Sequence, residues 1–189
     1  MASMEMYEPG DRPSMIARYE ELGGGHDSGE RAPRERSAAP SNDSPAPLTR
    51  GAERAHTQVV ASYNAHDVDR LLECYDEHVN FVDHRELSWE SWDGIAGARR
   101  FYESIFVISP DARQQVDEVI ACDDRVIALR TTVRGSGTDG AGEFEYQFGY
   151  VAAFESGRML SQEVYDHDDR AAMLARFAEL SERRNAVGA

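Results

Sequence analysis

Asp83 is the residue whose type and position most directly suggest chemistry. It lies in the stretch NFVDHRELSWESWDG, residues 80–94, which also carries two tryptophans. Val79, Phe81 and Asp83 share one parity, and this alternation predicts a strand that delivers Asp83 to one face of a sheet. A carboxylate beside an apolar cavity can move a proton from carbon to oxygen. The alternative is a structural aspartate that caps the following loop.

The two residues after Asp83 are polar as well. Because side chains alternate along a strand, we expect His84 to point away from the Asp83 face, which disfavours a Ser-His-Asp type arrangement. We expect Arg85 to pair with Glu86 or Glu90 on the surface.

Aromatic side chains are candidates for the lining of a substrate pocket. In the run EFEYQFGYVAAF they recur at every second position and would share one face of a strand: Phe144, Tyr146, Phe148 and Tyr150. They either line a cavity or form a packed core. Trp89 and Trp92 belong to the loop over that face, where they act as lid residues or pack against the third helix.

The last strand-like run, GRMLSQEVYD, adds two candidates. One parity places Gln162 and Asp166 toward the pocket and gives Glu163 and Tyr165 the other face, although an edge bulge would reverse this order. The motif DHDD at 166–169 is typical of a helix cap, because no second cluster of metal ligands stands at a fixed distance from it. We therefore predict no metal site.

Composition excludes several classes of function. The formal net charge is −15, which argues against nucleic acid and anionic membranes as partners, since both need a basic surface. All twenty basic residues are arginine, which excludes Schiff-base chemistry, pyridoxal phosphate anchoring and the P-loop lysine.

Cys74 and Cys122 are expected to be buried structural thiols. With no apolar run near ~18 residues and no signal peptide pattern, we predict a cytoplasmic protein.

The chain changes character near residue 52. Residues 1–52 are rich in Gly, Pro, Ser and charge, and such a segment cannot bury enough apolar surface to offset its ordering entropy. We expect a disordered or flexible tail there, with PSMIARYEEL (13–22) as a candidate short helix. Residues 53–184 are expected to form an α+β barrel-like domain.

The order of periodicities predicts the fold class. Two helical patterns are followed by the strand HVNFVDH, a third helix over 93–108, four strand-like runs and a C-terminal helix. The four runs are separated by DD, GSGTDGAG and SG, which are turn signals suited to antiparallel hairpins. We expect an α+β domain in which a curved antiparallel sheet wraps around helices to form a cone with an internal cavity.

The segments YNAHDVDRLLECYDEHVNFVDH and WDGIAGARRFYESIF resemble the nuclear transport factor two-like superfamily over about residues 53–180. Within that superfamily the chain is most similar to SnoaL-like polyketide cyclases, with ketosteroid isomerases and limonene epoxide hydrolases as more distant relatives. The resemblance implies the cone-shaped fold. It also implies a general-base role for Asp83, which falls where ketosteroid isomerases keep their catalytic aspartate.

Other catalytic positions of these relatives match less well. Ketosteroid isomerases carry a tyrosine where this chain has Val59, and a protonated aspartate where it has Tyr150, whose hydroxyl could donate to an enolate. Arg130 matches the arginine of limonene epoxide hydrolases. Their two catalytic aspartates fall at Thr132 and Val164, so epoxide hydrolysis by that mechanism is not expected.

Three functions remain open at this point. The first is an enzyme that cyclises or isomerises a hydrophobic polyketide-like molecule without metal or organic cofactor, as in antibiotic biosynthesis, using Asp83 as proton acceptor, Tyr150 as oxyanion donor and Arg130 as orienting group. The second is a noncatalytic ligand-binding or regulatory domain. The third is a dimerisation scaffold, and the resemblance implies a homodimer in each case.

Overall fold

The computed structural model describes residues 50–86 and 88–187. Apart from residues 50–52, the tail predicted for 1–52 and its candidate helix at 13–22 therefore lie outside the described residues. The first described helix begins at Gly51, close to the start at residue 53 that the sequence predicts for the domain.

The described residues form four α-helices and six strands, in the predicted order. The helices are α1 (Gly51–Asn64), α2 (Val68–Glu73), α3 (Gly94–Ile108) and α4 (Arg170–Val187). The strands are β1 (Tyr75–Asp83), β2 (Trp92–Asp93), β3 (Arg113–Cys122), β4 (Val126–Ser136), β5 (Glu143–Glu155) and β6 (Arg158–Tyr165). A short 3-10 helix spans Thr138–Gly140. The short strand β2 lies inside the segment that the sequence predicts as a loop.

One sheet contains all six strands in the order β2-β1-β6-β5-β4-β3. β1 and β6 run parallel, and every other neighbouring pair is antiparallel. Register shifts interrupt the β1–β6, β3–β4 and β5–β6 pairs, and such irregularities bend strands and increase their twist. The sheet is curved and unclosed, which confirms the predicted α+β class.

The two faces of the sheet pack against different helices. On the side that we call the inner face, Ile127 and Leu129 of β4 join a hydrophobic core with α1, α2 and α3. On the opposite side, the outer face, Val126 and Ala128 pack with Met173 of α4. Alternation along each strand therefore decides which core a side chain enters.

Side-chain hydrogen bonds fix the helices in place. Asn64 at the end of α1 donates to the Gln114 carbonyl of β3 at 2.9 Å and accepts from the Gln114 amide at 2.7 Å. Asp67 caps α2 by accepting a hydrogen bond from the Arg70 amide at 3.0 Å. Asp169 accepts from a backbone amide in the first turn of α4 at 3.1 Å, so the acidic motif at 166–169 provides a helix cap.

The structure also bears on the absence of a long apolar run and on the two cysteines. Of the helices within residues 50–86 and 88–187, none is long and apolar enough to cross a membrane. Cys74 and Cys122 are free thiols that are half-buried rather than fully buried. Desolvation by this burial raises the pKa of both thiols.

Gly149 gives a test of the packing between β5 and α4. A Cβ atom at this position would meet Sδ of Met173 and come within 2.7 Å of its Cε, and Met173 is fully buried. We expect Gly149→Ala to lower the free energy of unfolding by about 1–3 kcal/mol. Because Met173→Ala makes room for the new methyl group, the double variant should lose less than the two single losses combined, as measured by urea denaturation. Additive losses would contradict this close approach.

Candidate functional site

Asp83 lies at the end of β1 on the inner face, as the alternation of the strand predicted. Its Cα pairs with that of Val164, and its side chain is completely buried. Oδ1 accepts from the backbone N and Nε of Arg85 at 3.1 and 2.8 Å, and Oδ2 accepts from Arg85 Nη2 and from the Trp89 backbone N–H at 2.8 Å. Asp83 therefore faces the inner core and caps the following loop at the same time.

The expected surface pairing of Arg85 with Glu86 or Glu90 is wrong. Arg85 is buried, and its guanidinium forms a bidentate ion pair with Asp83. The cause is local, because Asp83 Oδ1 accepts from the amide two residues further on. This Asx turn folds the chain back and places Arg85 on the same side as Asp83.

Three aromatic rings lie around the Arg85 guanidinium, and we call them the aromatic wall: Trp89, Tyr146 and Phe148. The guanidinium carbon is 4.6, 5.1 and 5.8 Å from their respective ring centroids. The Trp89 centroid is in turn 5.5 Å from that of Tyr146 and 5.7 Å from that of Phe148. Because aromatic faces attract cations, the aromatic wall adds to the stabilisation of a buried charge.

The aromatic residues of β5 project toward the inner core, as predicted. The rings of Tyr146, Phe148 and Tyr150 follow one another with centroid separations of 5.5 and 6.1 Å. Phe144 lies at the start of the same row, where a Cβ at Gly135 would come within 3.0 Å of its ring. Burial increases along the row, from half-buried Phe144 and Tyr146 to fully buried Tyr150.

Trp89 in the loop after β1 and Trp92 in β2 both pack against α3. The Trp92 ring stacks on Phe81, with centroids 5.1 Å apart and an interplanar angle of 6°. Phe101 of α3 lies 5.8 Å from Trp92 and 5.5 Å from Trp89. The Trp92 Nε1 atom is buried and has no hydrogen-bond acceptor among the described residues, which is unusual for a buried donor.

Tyr150 forms a buried hydrogen bond with His56 of α1. The Tyr150 hydroxyl and His56 Nε2 are in direct contact, and both residues are buried in the inner core. Burial lowers the pKa of His56 to about 4, so the imidazole is neutral near pH 7. Burial also raises the pKa of Tyr150 far above its ordinary value, which keeps its hydroxyl protonated.

His56 was missed by the sequence reasoning, although a signal for it exists. Ala52, His56, Val59 and Tyr63 follow one another at helical spacing, so His56 lies on the apolar stripe of α1.

A second polar pair lies in the same core, where the hydroxyls of Tyr75 and Tyr102 are hydrogen-bonded at 2.5 Å.

Arg130 is the predicted catalytic residue that the structure does not bring to the inner face. Its neighbour Leu129 points inward, so Arg130 projects to the outer face. There its Nε donates to the His167 carbonyl at 2.7 Å and its Nη1 donates to Glu118 at 3.1 Å. The sheet therefore separates Arg130 from Asp83.

The two candidates at the end of β6 differ in position. Gln162 is buried, and its Cα pairs with those of Phe81 and Ala152, both of which belong to the inner core. Asp166 is exposed, because β6 ends at Tyr165 and the chain then turns toward α4. Asp166 therefore lies outside the inner core.

His84 projects to the outer face, away from the Asp83 carboxylate, as alternation predicted. Its Nε2 lies 3.0 Å from Glu163 Oε2, and its ring stacks on Tyr165 with centroids 4.8 Å apart. Glu163 also accepts hydrogen bonds from Arg176 of α4. This network links the end of β1 to α4. Burial acts to raise the pKa of Glu163, but hydrogen bonding to Arg176 is the main opposing cause, and the pKa is lowered overall.

The inner face thus holds two polar pairs among aromatic side chains. The Asp83–Arg85 ion pair offers a carboxylate and a cation, and the His56–Tyr150 pair offers a neutral imidazole and a protonated hydroxyl. Such groups can move a proton and stabilise an oxyanion on an apolar molecule.

Removal of the Asp83 carboxylate should be strongly destabilising. Asp83→Ala leaves a buried guanidinium without its counter-ion and the Trp89 amide without an acceptor, so we expect a loss of about 3–5 kcal/mol in the free energy of unfolding. The control is Glu145→Ala, which breaks the exposed Glu145–Arg134 pair and should cost about 1 kcal/mol or less. Similar losses for the two variants in urea denaturation would contradict a buried, structurally required pair.

Protonation of His56 should destabilise the fold in acid. The unfolded chain binds the proton below its ordinary pKa of 6.5, whereas the folded state resists protonation down to about 4, so stability falls as the pH decreases through this window. The drop corresponds to about 3 kcal/mol at about 1.4 kcal/mol per pKa unit.

The measurement is the free energy of unfolding of the native chain and of His56→Gln between pH 7 and 4. We expect the native chain to lose more stability than the variant over this range. Parallel curves would show that His56 does not titrate with a lowered pKa.

A family model described as a SnoaL-like domain matches residues 56–162, which is more than half of the chain. None of the curated proteins matches the chain.

Solved structures of several proteins share the fold. A Mycobacterium tuberculosis protein in complex with estradiol-17β-hemisuccinate has 13% identity and a TM-score of 0.55, over 65% of this chain and 98% of that one. SalBIII, an epoxide hydrolase/cyclase-like enzyme in pyran ring formation of salinomycin, has 14% identity and a TM-score of 0.52, over 60% and 88%. TerC, co-crystallised with polyporic acid, has 16% identity and a TM-score of 0.51, over 67% and 97%. At these identities the similarity concerns the fold, and the match of the family model establishes that the chain belongs to the SnoaL-like domain family.

Proposed function

We propose that this domain binds a hydrophobic polyketide-like small molecule on its inner face and promotes its cyclisation or isomerisation without a cofactor. The observation that carries the proposal is a fully buried carboxylate, Asp83, paired with an arginine among aromatic rings. Both reactions begin when a proton leaves the carbon beside a carbonyl and the electron pair moves to the carbonyl oxygen, which gives an enolate. Asp83 is the proposed acceptor of that proton.

Arg85 keeps the charge balanced during this step. When Asp83 takes the proton, its carboxylate becomes neutral and the negative charge appears on the substrate oxygen. A guanidinium that lies beside both groups stabilises the negative charge before and after the transfer. The enolate is then either protonated at another carbon, which is isomerisation, or attacks a second carbonyl carbon, which closes a ring. In this proposal Arg85 replaces Arg130, which the sequence analysis considered as the orienting group.

Tyr150 is the proposed second donor to the substrate oxygen. Its hydroxyl remains protonated because burial raises its pKa. With His56 Nε2 as the donor in their shared hydrogen bond, the proton of the Tyr150 hydroxyl is available to a substrate oxygen.

The ligand class is supported by proteins of the same fold. Estradiol-17β-hemisuccinate and polyporic acid, found with two of them, are hydrophobic ring compounds that carry oxygen functions. The SalBIII enzyme is associated with pyran ring formation in the polyether salinomycin. The aromatic wall of this chain suits a ligand of the same kind, because rings pack well against rings.

The occupied oxygens of Asp83 favour a second candidate, a noncatalytic ligand-binding or regulatory domain. Both oxygens already accept hydrogen bonds from Arg85 and from the Trp89 amide. Uptake of a proton requires one of these bonds to open, whereas a purely binding role leaves the ion pair intact. The homodimer and the cytoplasmic location remain predictions under either candidate.

Deuterium exchange into 2-tetralone, followed by proton NMR in deuterated buffer, tests the catalytic candidate. Exchange at the carbon beside the carbonyl is the enolisation step itself and does not require knowledge of the natural substrate. We expect the native chain to accelerate exchange over buffer. Asp83→Asn should lower the acceleration by about 100-fold or more, and Tyr150→Phe by about 100-fold.

Arg134→Gln is the control, because Arg134 is an exposed residue of β4 paired with Glu145, and its exchange rate should equal that of the native chain. Binding of 2-tetralone is measured in parallel by the quenching of tryptophan fluorescence. Binding without acceleration would reject the catalytic candidate and favour the noncatalytic one. Failure of 2-tetralone to bind at all would reject a ketone-binding inner face.

A further inference from the structure

The side chain of Glu163 joins β6, α4 and the end of β1 on the outer face. Its Oε1 accepts hydrogen bonds from Nε and Nη2 of Arg176 in α4 at 2.8 and 2.5 Å. Its Oε2 accepts from the Tyr165 hydroxyl at 3.2 Å and lies 3.0 Å from Nε2 of His84, the residue that follows β1. The Glu163 side chain is only 8% exposed, and such shielding from water strengthens its hydrogen bonds.

The charge of Glu163 fixes the direction of its bond to His84. Burial acts to raise the pKa of the Glu163 carboxyl, but hydrogen bonds from Arg176 and His84 lower it overall, so the group is ionised near pH 7. An ionised carboxylate only accepts hydrogen bonds, and His84 Nε2 must therefore carry the proton. Because Arg176 already balances the negative charge, His84 contributes a donor rather than a counter-ion.

The backbone of His84 is attached at the same point. Its N–H donates to the Val164 carbonyl at 2.9 Å, and Asp83 is the last residue of β1 that pairs with β6. On the other edge of β1, the strand β2 pairs within the described residues only with Asn80 and Phe81. The Asp83 end of β1 is therefore held by one neighbouring strand, and the His84 side chain adds a second attachment.

Asp83 and His84 are joined by one peptide unit but point to opposite faces of the sheet. A movement of the His84 backbone therefore displaces the Asp83 carboxylate relative to Arg85 and to the Trp89 amide, both of which donate to it. Proton transfer depends on the exact position of the base, and a displacement of about 1 Å can cost about 100-fold in rate.

We infer that His84, held by Glu163, is a positioning residue that fixes the Asp83 carboxylate for the proposed proton transfer. The inference rests on the proposed function and adds a residue on the opposite face of the sheet, which acts through Asp83 without contacting the ligand. Since Glu163 is also bound to Arg176, the docking of α4 on the sheet becomes a condition for the geometry of the inner face.

The Trp89 amide reports this positioning directly, because it donates to Asp83 Oδ2 at 2.8 Å. His84→Phe keeps a ring that can stack on Tyr165 and removes the donor to Glu163. In the folded variant we expect the proton resonance of the Trp89 amide to move upfield, since its hydrogen bond to the carboxylate weakens. At saturating 2-tetralone the acceleration of deuterium exchange should fall about tenfold, while the affinity measured by fluorescence quenching stays the same.

His84→Gln is the matched rescue, because the amide nitrogen of glutamine can take nearly the place of imidazole Nε2 and donate to Glu163. It should keep the native Trp89 resonance and the native exchange rate. His84→Asn, whose amide lies one carbon closer to the backbone, lacks this reach and should behave as His84→Phe does, without the demand for space of a larger ring. The control is His78→Phe, a histidine of β1 that is 81% exposed, and it should change neither readout.

A native Trp89 resonance in both His84→Phe and His84→Asn would overturn the inference. Loss of stability in urea without this change would then assign His84 a purely structural role. Equal effects of His84→Gln and His84→Phe would also overturn it, because the donor to Glu163 would not be the cause. If the native chain does not accelerate exchange, the proposed proton transfer is rejected, and the Trp89 resonance still decides whether His84 fixes Asp83.

Discussion

The buried ion pair between Asp83 and Arg85 is the interaction on which the inner face depends. A carboxylate and a guanidinium at almost complete burial are tolerated only when their hydrogen bonds are satisfied. Asp83 meets this condition by accepting from the Arg85 side chain and from two backbone amides. The same bonds fix the loop after β1, and the loop in turn carries Trp89 over the guanidinium. The conformation of the loop, the packing of Trp89 and the position of the two charges therefore depend on the same set of hydrogen bonds.

Much of the fold follows from periodicity in the sequence. The change from helical spacing to alternation near residue 112 predicted the antiparallel part of the sheet, and single parities predicted that Tyr146, Phe148 and Tyr150 share a face. The same alternation predicted that His84 points away from the Asp83 face. These predictions succeed because the face of a strand residue depends only on its position along the strand.

The positions that the sequence did not predict depend on local turns and on long-range contacts. Arg85 follows a strand, but an Asx turn at Asp83 resets the alternation and brings it back to the inner face. The partner of Tyr150 is 94 positions away in the chain, and no local pattern identifies such a pair. Arg130 was placed by analogy with another family, whereas its neighbour Leu129 sets the face that it occupies. The analogy matched Arg130 to a position in another family, whereas alternation along β4 determines the face to which its side chain points.

Electroneutrality makes the proposed site compatible with either binding or catalysis. While Asp83 is ionised, Arg85 is paired with it. If a proton passes from the ligand to Asp83, the negative charge moves to the ligand oxygen and the guanidinium finds its counter-ion there. The sum of charges in the buried region is the same before and after, so the transfer requires little reorganisation of the surroundings. The aromatic wall makes the surroundings of the pair less polar, and electrostatic interactions are stronger in such surroundings. In the proposed function, catalysis differs from binding only in whether the ligand carries a carbon–hydrogen bond acidic enough to give its proton to Asp83.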